Sequence, residues 1–313
     1  MIHGQLVSPP PLQTHFADTL IVRVRTLGHP LCVGLDPHLG PIPPLFRRGS
    51  MSPGDPQTAS AVEEFLLAVL DRVAGKVAVV KPQSAFFEQL GWRGIQVLEK
   101  VVARAHECGL LVLLDAKRGD IGSTAEGYAR AYLAPDSAVP VDALTVNPYM
   151  GRDTLDPYIH LAEQHGRGVF VLVKTSNPGS GDYQDRDTGG APLYERVASS
   201  LTDTAAHLTG PGTGWSSLGL VVGATYPEQA ARIRACLPRA LFLAPGYGAQ
   251  GGRTADAVRG FVRGPNGLEG GVVSSSRGLL FPGEADTADA RVWEKAMDAT
   301  IGAAIADLRA AVS

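Results

Sequence analysis

Asp115, Lys117 and Asp120 follow directly on the apolar run Leu110 to Leu114. That run is short, continuous and bounded by Gly109, the pattern of a strand buried on both faces of a parallel sheet. Charges at the carboxyl end of such a strand are poor packing material. Asp115 and Lys117 stand two apart, so in extended chain their side chains point to one face. If that face is a barrel interior, a carboxylate and an ammonium are buried side by side, which is unfavourable unless each is compensated. The plainer reading is a strand-end salt bridge in a wet loop.

The rest of the chain argues against the plainer reading. Further polar residues recur where apolar runs stop: Asp36 after LCVGL, Lys81 after VAVV, Asn147 after DALTV and Ser176 after GVFVLVK. Thr225 follows LGLVVGA, Gly246 follows ALFLAP, and Ser276-Arg277 follow GGVVSS. One strand-end charge is usually solvated; charges delivered to one rim by three successive strands point to a site. The last two strand ends differ in character. APGYGAQGG offers bare backbone N–H groups and Gln250, and SSSRG offers hydroxyls and Arg277. Loops after the seventh and eighth strands of a (β/α)8 barrel commonly hold a phosphate, gripped by amides and a guanidinium. Gly246, Gly248 and Gly251 also spell GxGxxG, with Glu269 eighteen residues beyond. That pattern belongs to the first strand of a dinucleotide fold, not the seventh. Turn-forming glycines account for Gly248 and Gly252 but leave Arg277 unexplained.

These strand ends need eight strands and helices between them to hold them. Phe16, Leu20, Val24 and Leu27 have helical spacing within Thr14 to Leu27, a covering helix. Pro41 to Gln57 is rich in Pro, Gly, Ser and Arg and reads as an exposed loop. Val62, Phe65, Leu66, Val69, Leu70 and Val73 form one stripe of a helix over Ala59 to Val73. Ile95, Leu98, Val101, Val102 and Ala105 mark the next helix, and another runs through Tyr132. Later helices are expected at Leu155 to Glu163, Pro192 to Leu208, Pro227 to Cys236, Thr254 to Val262 and Ala288 to Val312. The result is eight strand–helix units, the alternation of an α/β fold with a parallel sheet. Eight units in roughly 280 residues suit a single (β/α)8 TIM barrel better than two Rossmann halves. No linker-like break appears, so residues 1–313 are expected to form one barrel domain, with 1–13 an irregular lead-in.

Composition narrows the partners. The chain is 44% hydrophobic and 19% charged, enough to bury a sizeable core. A net charge of −3 gives no footprint for nucleic acid or an anionic membrane. No apolar run reaches transmembrane length, and the N-terminus lacks the pattern of a signal peptide. Cys32, Cys108 and Cys236 are odd in number and widely spaced, with no zinc or disulfide pattern, which favours a reducing, cytoplasmic setting.

Asp115-Ala-Lys117-Arg-Gly-Asp120 resembles the Asp-x-Lys-x-x-Asp signature of the orotidine 5′-phosphate decarboxylase family, and Ile121 and Thr124 fit its extension DIxxT. The resemblance spans almost the whole chain: Asp36, Lys81, Ser176, Pro245-Gly246, Gln250-Gly251 and Arg277 match at successive strand ends. The KPQ after the second strand and the long inserted loops resemble the longer bacterial form. Related keto-gulonate-phosphate decarboxylases and hexulose-phosphate synthases carry a metal-binding Glu at the end of strand two. Here that position is Lys81, whose charge would repel Mg²⁺.

The resemblance implies a cofactor-free, metal-free conversion of orotidine 5′-monophosphate to uridine 5′-monophosphate. It implies that Asp36 holds ribose, Lys81 bridges ribose and the charge array, and Ser176 reads the pyrimidine. Gln250 and Arg277 grip the 5′-phosphate beside Pro245, Gly246, Gly251 and Ser276, and residues 246–252 form a lid. Lys117 is the implied proton donor next to Asp115. Asp120 and Thr124 would enter the partner's site in a homodimer, and Ile121 is an implied substrate-binding residue. Arg253 is a weaker phosphate candidate. The roles of the loops 177–190 and 209–217 are left open.

Overall fold

A computed structural model describes residues 15–246 and 254–313. Eight parallel strands close into a barrel: β1 (Leu31–Leu35), β2 (Val79–Pro82), β3 (Leu111–Arg118), β4 (Ala143–Val146), β5 (Gly168–Lys174), β6 (Ser216–Val222), β7 (Ala240–Ala244) and β10 (Gly271–Ser275). β1 closes the ring by pairing with both β2 and β10. The remaining strands, β8 (Val262–Gly264) and β9 (Gly267–Glu269), make an antiparallel hairpin outside it. The architecture is the (β/α)8 TIM barrel that the strand–helix alternation predicts.

Alternation along the strands divides the core in two. Cys32, Val79, Leu111, Leu113, Phe170, Leu241, Leu243 and Val272 fill the barrel interior. Helix α1 (Phe16–Leu27) closes its amino-terminal mouth, inserting Phe16, Leu20, Ile21 and Val24. Phe16 meets Phe170 edge to face with centroids 6.0 Å apart. The other strand faces pack outward against the surrounding helices. There α2 (Pro56–Val73) presents Val62, Phe65, Leu66, Val69, Leu70 and Val73, all fully buried. Burying side chains of this size stabilises by about 1.5–3 kcal/mol each.

The helices after β2 are α3 (Ser84–Glu88) and α4 (Trp92–Glu107); α5 (Gly122–Leu133) follows β3 and α6 (Asp156–His165) follows β4. Beyond β5 come α7 (Leu193–Ser200) and α8 (Thr202–His207), then α9 (Pro227–Cys236), α10 (Thr254–Ala257), α11 (Arg277–Leu280) and α12 (Ala290–Val312). Among the described residues no helix is long and apolar enough to cross a membrane.

Several local expectations are corrected. The segment 41–57 is not simply exposed: Ile42, Phe46 and Met51 are buried, with Phe46 packed on Phe65 and Trp293. α2 starts at Pro56 because the Asp55 carboxylate accepts from Gln57 N at 2.9 Å and proline suits the first helical position. In α4, Ile95 faces solvent and Val97 takes the core position. The helix expected over 192–208 breaks at Leu201. Ser199, Ser200 and Thr202 turn their hydroxyls back onto carbonyls of the preceding turn, which competes with the helix ladder. The helix expected to reach Val262 stops at Ala257, and the chain turns through Pro265-Asn266-Gly267 between β8 and β9. Proline and Asn-Gly are turn formers whose weight the apolar spacing concealed.

Candidate active site

The strands deliver their last residues to one end of the barrel, where a cavity of about 390 Å³ opens. Asp36, Lys81, Asp115, Lys117, Ser176 and Arg277 all line it, with Pro245, Gly246 and Ser276. Nine expected site residues from six strand ends therefore meet.

Asp115 is the hub. Its Oδ2 accepts from Lys81 Nζ at 3.1 Å and from Gln83 Nε2 at 3.3 Å. Its Oδ1 accepts from Lys117 Nζ at 2.7 Å and from the Thr145 hydroxyl at 2.8 Å. Burial by itself would raise the Asp115 pKa; the charges of Lys81 and Lys117, with the Lys117 and Thr145 hydrogen bonds, outweigh it and hold the carboxyl far below the carboxylate range. Burial likewise opposes the Lys81 charge, but Asp115 and Asp36 overcome it and raise the Lys81 pKa. Asp36 Oδ1 lies 3.7 Å from Lys81 Nζ, an ion contact too long for a hydrogen bond. That oxygen is buried and has no hydrogen-bond partner among the described residues.

Lys117 reaches the site by a route that simple alternation misses. Its φ is +49°, in the left-handed region where a non-glycine residue costs on the order of 1–3 kcal/mol. The pairing of β3 with β4 shifts register between Leu114 and Arg118. Thr145 Oγ1 accepts from Lys117 N at 2.9 Å and so holds the kink. The expectation of two side-by-side buried charges is corrected: the Lys117 side chain is 41% exposed, and Lys81, at 5%, is the buried ammonium.

Two glycines carry close approaches at the rim. A Cβ on Gly34 would fall 1.9 Å from Ser276 Oγ, and one on Gly223 would fall 2.8 Å from Ser176 Cα. Any side chain at either place would push a cavity-lining residue out of position.

Not every expected residue joins the cavity. Asp120 turns its Oδ1 to the N–H of Ile121 at 2.8 Å, while Ile121 and Thr124 are exposed. Asn147 Oδ1 accepts from Tyr149 N, and Thr225 Oγ1 donates to the Ser176 carbonyl at 3.3 Å, so these two shape the loops. Gln250, Gly251 and Arg253, with Gly248 and Gly252, lie outside the described residues. Glu269 has no part at the rim; its carboxylate pairs with Arg25 and Trp215 near the other barrel mouth. The 209–217 segment lies there too, with Gly212 N and Thr213 N donating to Asp18 of α1.

Sequence reasoning overlooked Thr145, Gln83, Thr175 and Asn177. A lone hydroxyl on an inward position of DALTV was the available signal for Thr145. Gln83 sits in the KPQ run and extends the β2–β3 pairing through its bridge to Asp115.

The closed barrel and its lysine–carboxylate rim define a TIM-barrel enzyme. Residues 29–283 match the model of the orotidine 5′-phosphate decarboxylase / HUMPS family. The orotidine 5′-phosphate decarboxylase of Rhodopirellula baltica is 44% identical over 293 residues, covering 91% of this chain and 95% of that protein. The enzyme of that name from Nocardioides sp. is 44% identical over 266 residues, covering 85% and 91%. The solved Leishmania donovani OMP decarboxylase superposes with a TM-score of 0.72 at 32% identity, over 95% of this chain and 99% of that one. The chain belongs to the orotidine 5′-phosphate decarboxylase / HUMPS family.

Proposed function

We propose that this chain decarboxylates orotidine 5′-monophosphate to uridine 5′-monophosphate without a cofactor. The observation that carries the reading is the Lys81–Asp115–Lys117 array, buried at one end and open to the cavity at the other. The bond from ring carbon 6 to its carboxyl carbon breaks, CO₂ leaves, and the electron pair stays on carbon 6. The Lys117 ammonium stabilises that charge as it develops and then gives its proton to the same carbon. The resulting amine is reprotonated from solvent.

The remaining roles are those the family resemblance implies. Asp36, with its unpartnered oxygen, accepts a ribose hydroxyl, and Lys81 bridges ribose and the array. Ser176 reads the pyrimidine. Arg277 and Ser276 face the phosphate beside Pro245 and Gly246, joined by Gln250 and Gly251 of the lid. Binding of the remote phosphate supplies energy for ordering the site. Asp115 stands near the substrate carboxylate, where repulsion between like charges raises the ground state.

The reading includes a homodimer with shared sites, in which Asp120 and Thr124 enter the partner's cavity and Ile121 contacts substrate. Ile121, Tyr149, Met150 and Tyr183 are exposed large apolar residues in loops near this rim, a surface that association would cover. It also takes the whole chain, residues 1–313, as one functional barrel, and its three unpaired cysteines fit a cytoplasmic setting.

The test is the absorbance change of orotidine 5′-monophosphate with wild type and Lys117→Ala, each with and without EDTA. EDTA-resistant turnover by wild type, lost in the variant, is the expected result. Absence of wild-type turnover would sink the reading. Loss of turnover with EDTA would favour a Mg²⁺-dependent phosphosugar lyase of the same family.

A further inference from the structure

Gln184 belongs to the 177–190 loop after β5 and does not line the cavity, yet it holds a segment that does. β5 ends at Lys174, so the N–H of Thr175 leaves the sheet. Gln184 Oε1 accepts that N–H at 2.9 Å, and Gln184 Nε2 donates to Thr175 Oγ1 at 2.8 Å. One amide thus clamps Thr175 at two points. Because its Oε1 faces an N–H, its Nε2 must face the hydroxyl, and the hydroxyl proton is left to donate onward. Thr175 Oγ1 does so, to Asn177 Oδ1 at 2.7 Å. The direction of every bond in the chain Gln184–Thr175–Asn177 is therefore set from Gln184.

The clamp is itself anchored. Gln184 N donates to the Ser180 carbonyl at 2.9 Å, and the Gln184 carbonyl accepts from Tyr194 N at 3.0 Å, in the first turn of α7. Next to it, Asp185 accepts from Lys174 Nζ at 2.7 Å. Lys174 is fully buried, and its ammonium lies 4.4 Å from the Tyr226 ring centroid. A buried ammonium with one carboxylate partner is strongly destabilised if that partner is removed. The loop cannot lift away from β5 without stripping Lys174 of Asp185. Thr225 and Tyr226 hold the far side by donating to the carbonyls of Ser176 and Asn177.

We infer that Gln184 is a positioning residue for base recognition: the 177–190 loop braces Thr175–Asn177 so that Ser176 meets the pyrimidine in a preset geometry. The inference rests on the assignment of Ser176 to the base. Preorganisation of this kind strengthens binding by lowering the ordering cost. Its effect falls on ligands that carry a base and spares those that carry only ribose and phosphate.

The experiment measures dissociation constants of UMP and ribose 5-phosphate, with steady-state kinetics on orotidine 5′-monophosphate, for wild type, Gln184→Ala, Gln184→Glu and Thr175→Val. Gln184→Ala is expected to weaken UMP binding and raise KM about tenfold, the scale of a lost hydrogen-bond pair. Its affinity for ribose 5-phosphate should stay within about twofold, and kcat should fall less than KM rises. Thr175→Val breaks the relay beyond Gln184 and should show the same selective loss. Gln184→Glu keeps the acceptor for Thr175 N–H and should fall between wild type and Gln184→Ala. Equal weakening of both ligands in Gln184→Ala, or none in either, overturns the inference alone. Wild type that binds UMP no better than ribose 5-phosphate overturns the base-reading assignment itself, and the inference with it.

Discussion

Buried charge gathers at both mouths of the barrel, and the two clusters are built to opposite specifications. At the amino-terminal mouth, Arg234 lies beneath the starts of β7 and β10. It donates to the carbonyls of Gly260, Leu237, Pro238, Ala240 and Gly270 at 2.6–3.2 Å. Its guanidinium lies 3.9 Å from the Phe242 ring centroid and 5.1 Å from that of Trp215. Burial, with Arg239 second, lowers its pKa, and the five carbonyl oxygens offset the lost hydration. Nearby, both oxygens of Glu269 take a bidentate pair from Arg25 at 2.7 Å, and Oε1 also takes Trp215 Nε1 at 3.0 Å. That cluster is saturated.

The carboxyl-terminal cluster is left unfinished. Among the described residues Asp36 Oδ1 has no hydrogen-bond partner, and Lys81 donates to Asp115 while standing 3.7 Å from Asp36. Lys117 holds a strained backbone and a half-exposed ammonium. A saturated polar cluster has nothing to offer a ligand and serves the fold. One with spare donors and acceptors beside a cavity is costly unless something binds there. The contrast separates structural from functional burial more sharply than burial itself does.

The largest expected effect tests the unfinished end. Lys117→Ala should lower kcat on the order of 10⁴-fold, since in the proposed mechanism it removes both the proton donor and the charge that stabilises the carbanion. Its melting temperature should move by at most a few degrees, because half of that side chain is already in water. A variant that keeps its turnover would erase the functional half of the contrast.

Arg234→Met should do the reverse. Five carbonyls lose their donor, and unfolding by urea should show a loss of about 3–5 kcal/mol while kcat per folded molecule stays within about twofold. A large kinetic defect in folded protein would mean that the two ends are coupled.

The third prediction is a slope against pH. The native pKa of Asp115 is depressed, so its contribution to stability is fully present above its unfolded value of about 4 and declines as pH falls toward the native value. The stability difference between wild type and Asp115→Asn should be constant from about pH 5 to 8 and shrink below about pH 4. A difference that keeps its size in acid would sink the depressed pKa.

Trp215→Phe is the smallest change, at about 0.5–1.5 kcal/mol by thermal unfolding, with kinetics unchanged. Glu269 keeps its bidentate Arg25 in that variant, which is why the loss is small. A much larger loss would show that the saturated cluster depends on each of its members.

Much of this was readable from residue order. Strand–helix alternation yields the barrel because hydrophobic period reports which faces are buried, and the position of each charge follows from where an apolar run stops. Asp36, Lys81, Asp115, Lys117, Ser176 and Arg277 reach one cavity for that reason. Period alone did not reveal the break at Leu201 or the turn at Pro265–Gly267, where hydroxyls and turn formers override apolar spacing. Asp120, Ile121 and Thr124 were legible as a motif, yet they lie outside the cavity of one chain.

By itself the sequence determined the barrel and the chemistry of its rim, since both depend on local pattern and residue type. Tertiary structure alone decided which ammonium is buried, because Lys81 lies inside the ring while Lys117, at its left-handed turn, stands at the open side of the cavity. It also decided that Thr145 and Gln83 complete the shell of Asp115 and that Gln184 reaches back to Thr175. Those contacts join separate strands and loops, and hydrogen bonds between distant segments exist only once the closed barrel has fixed the distances between them.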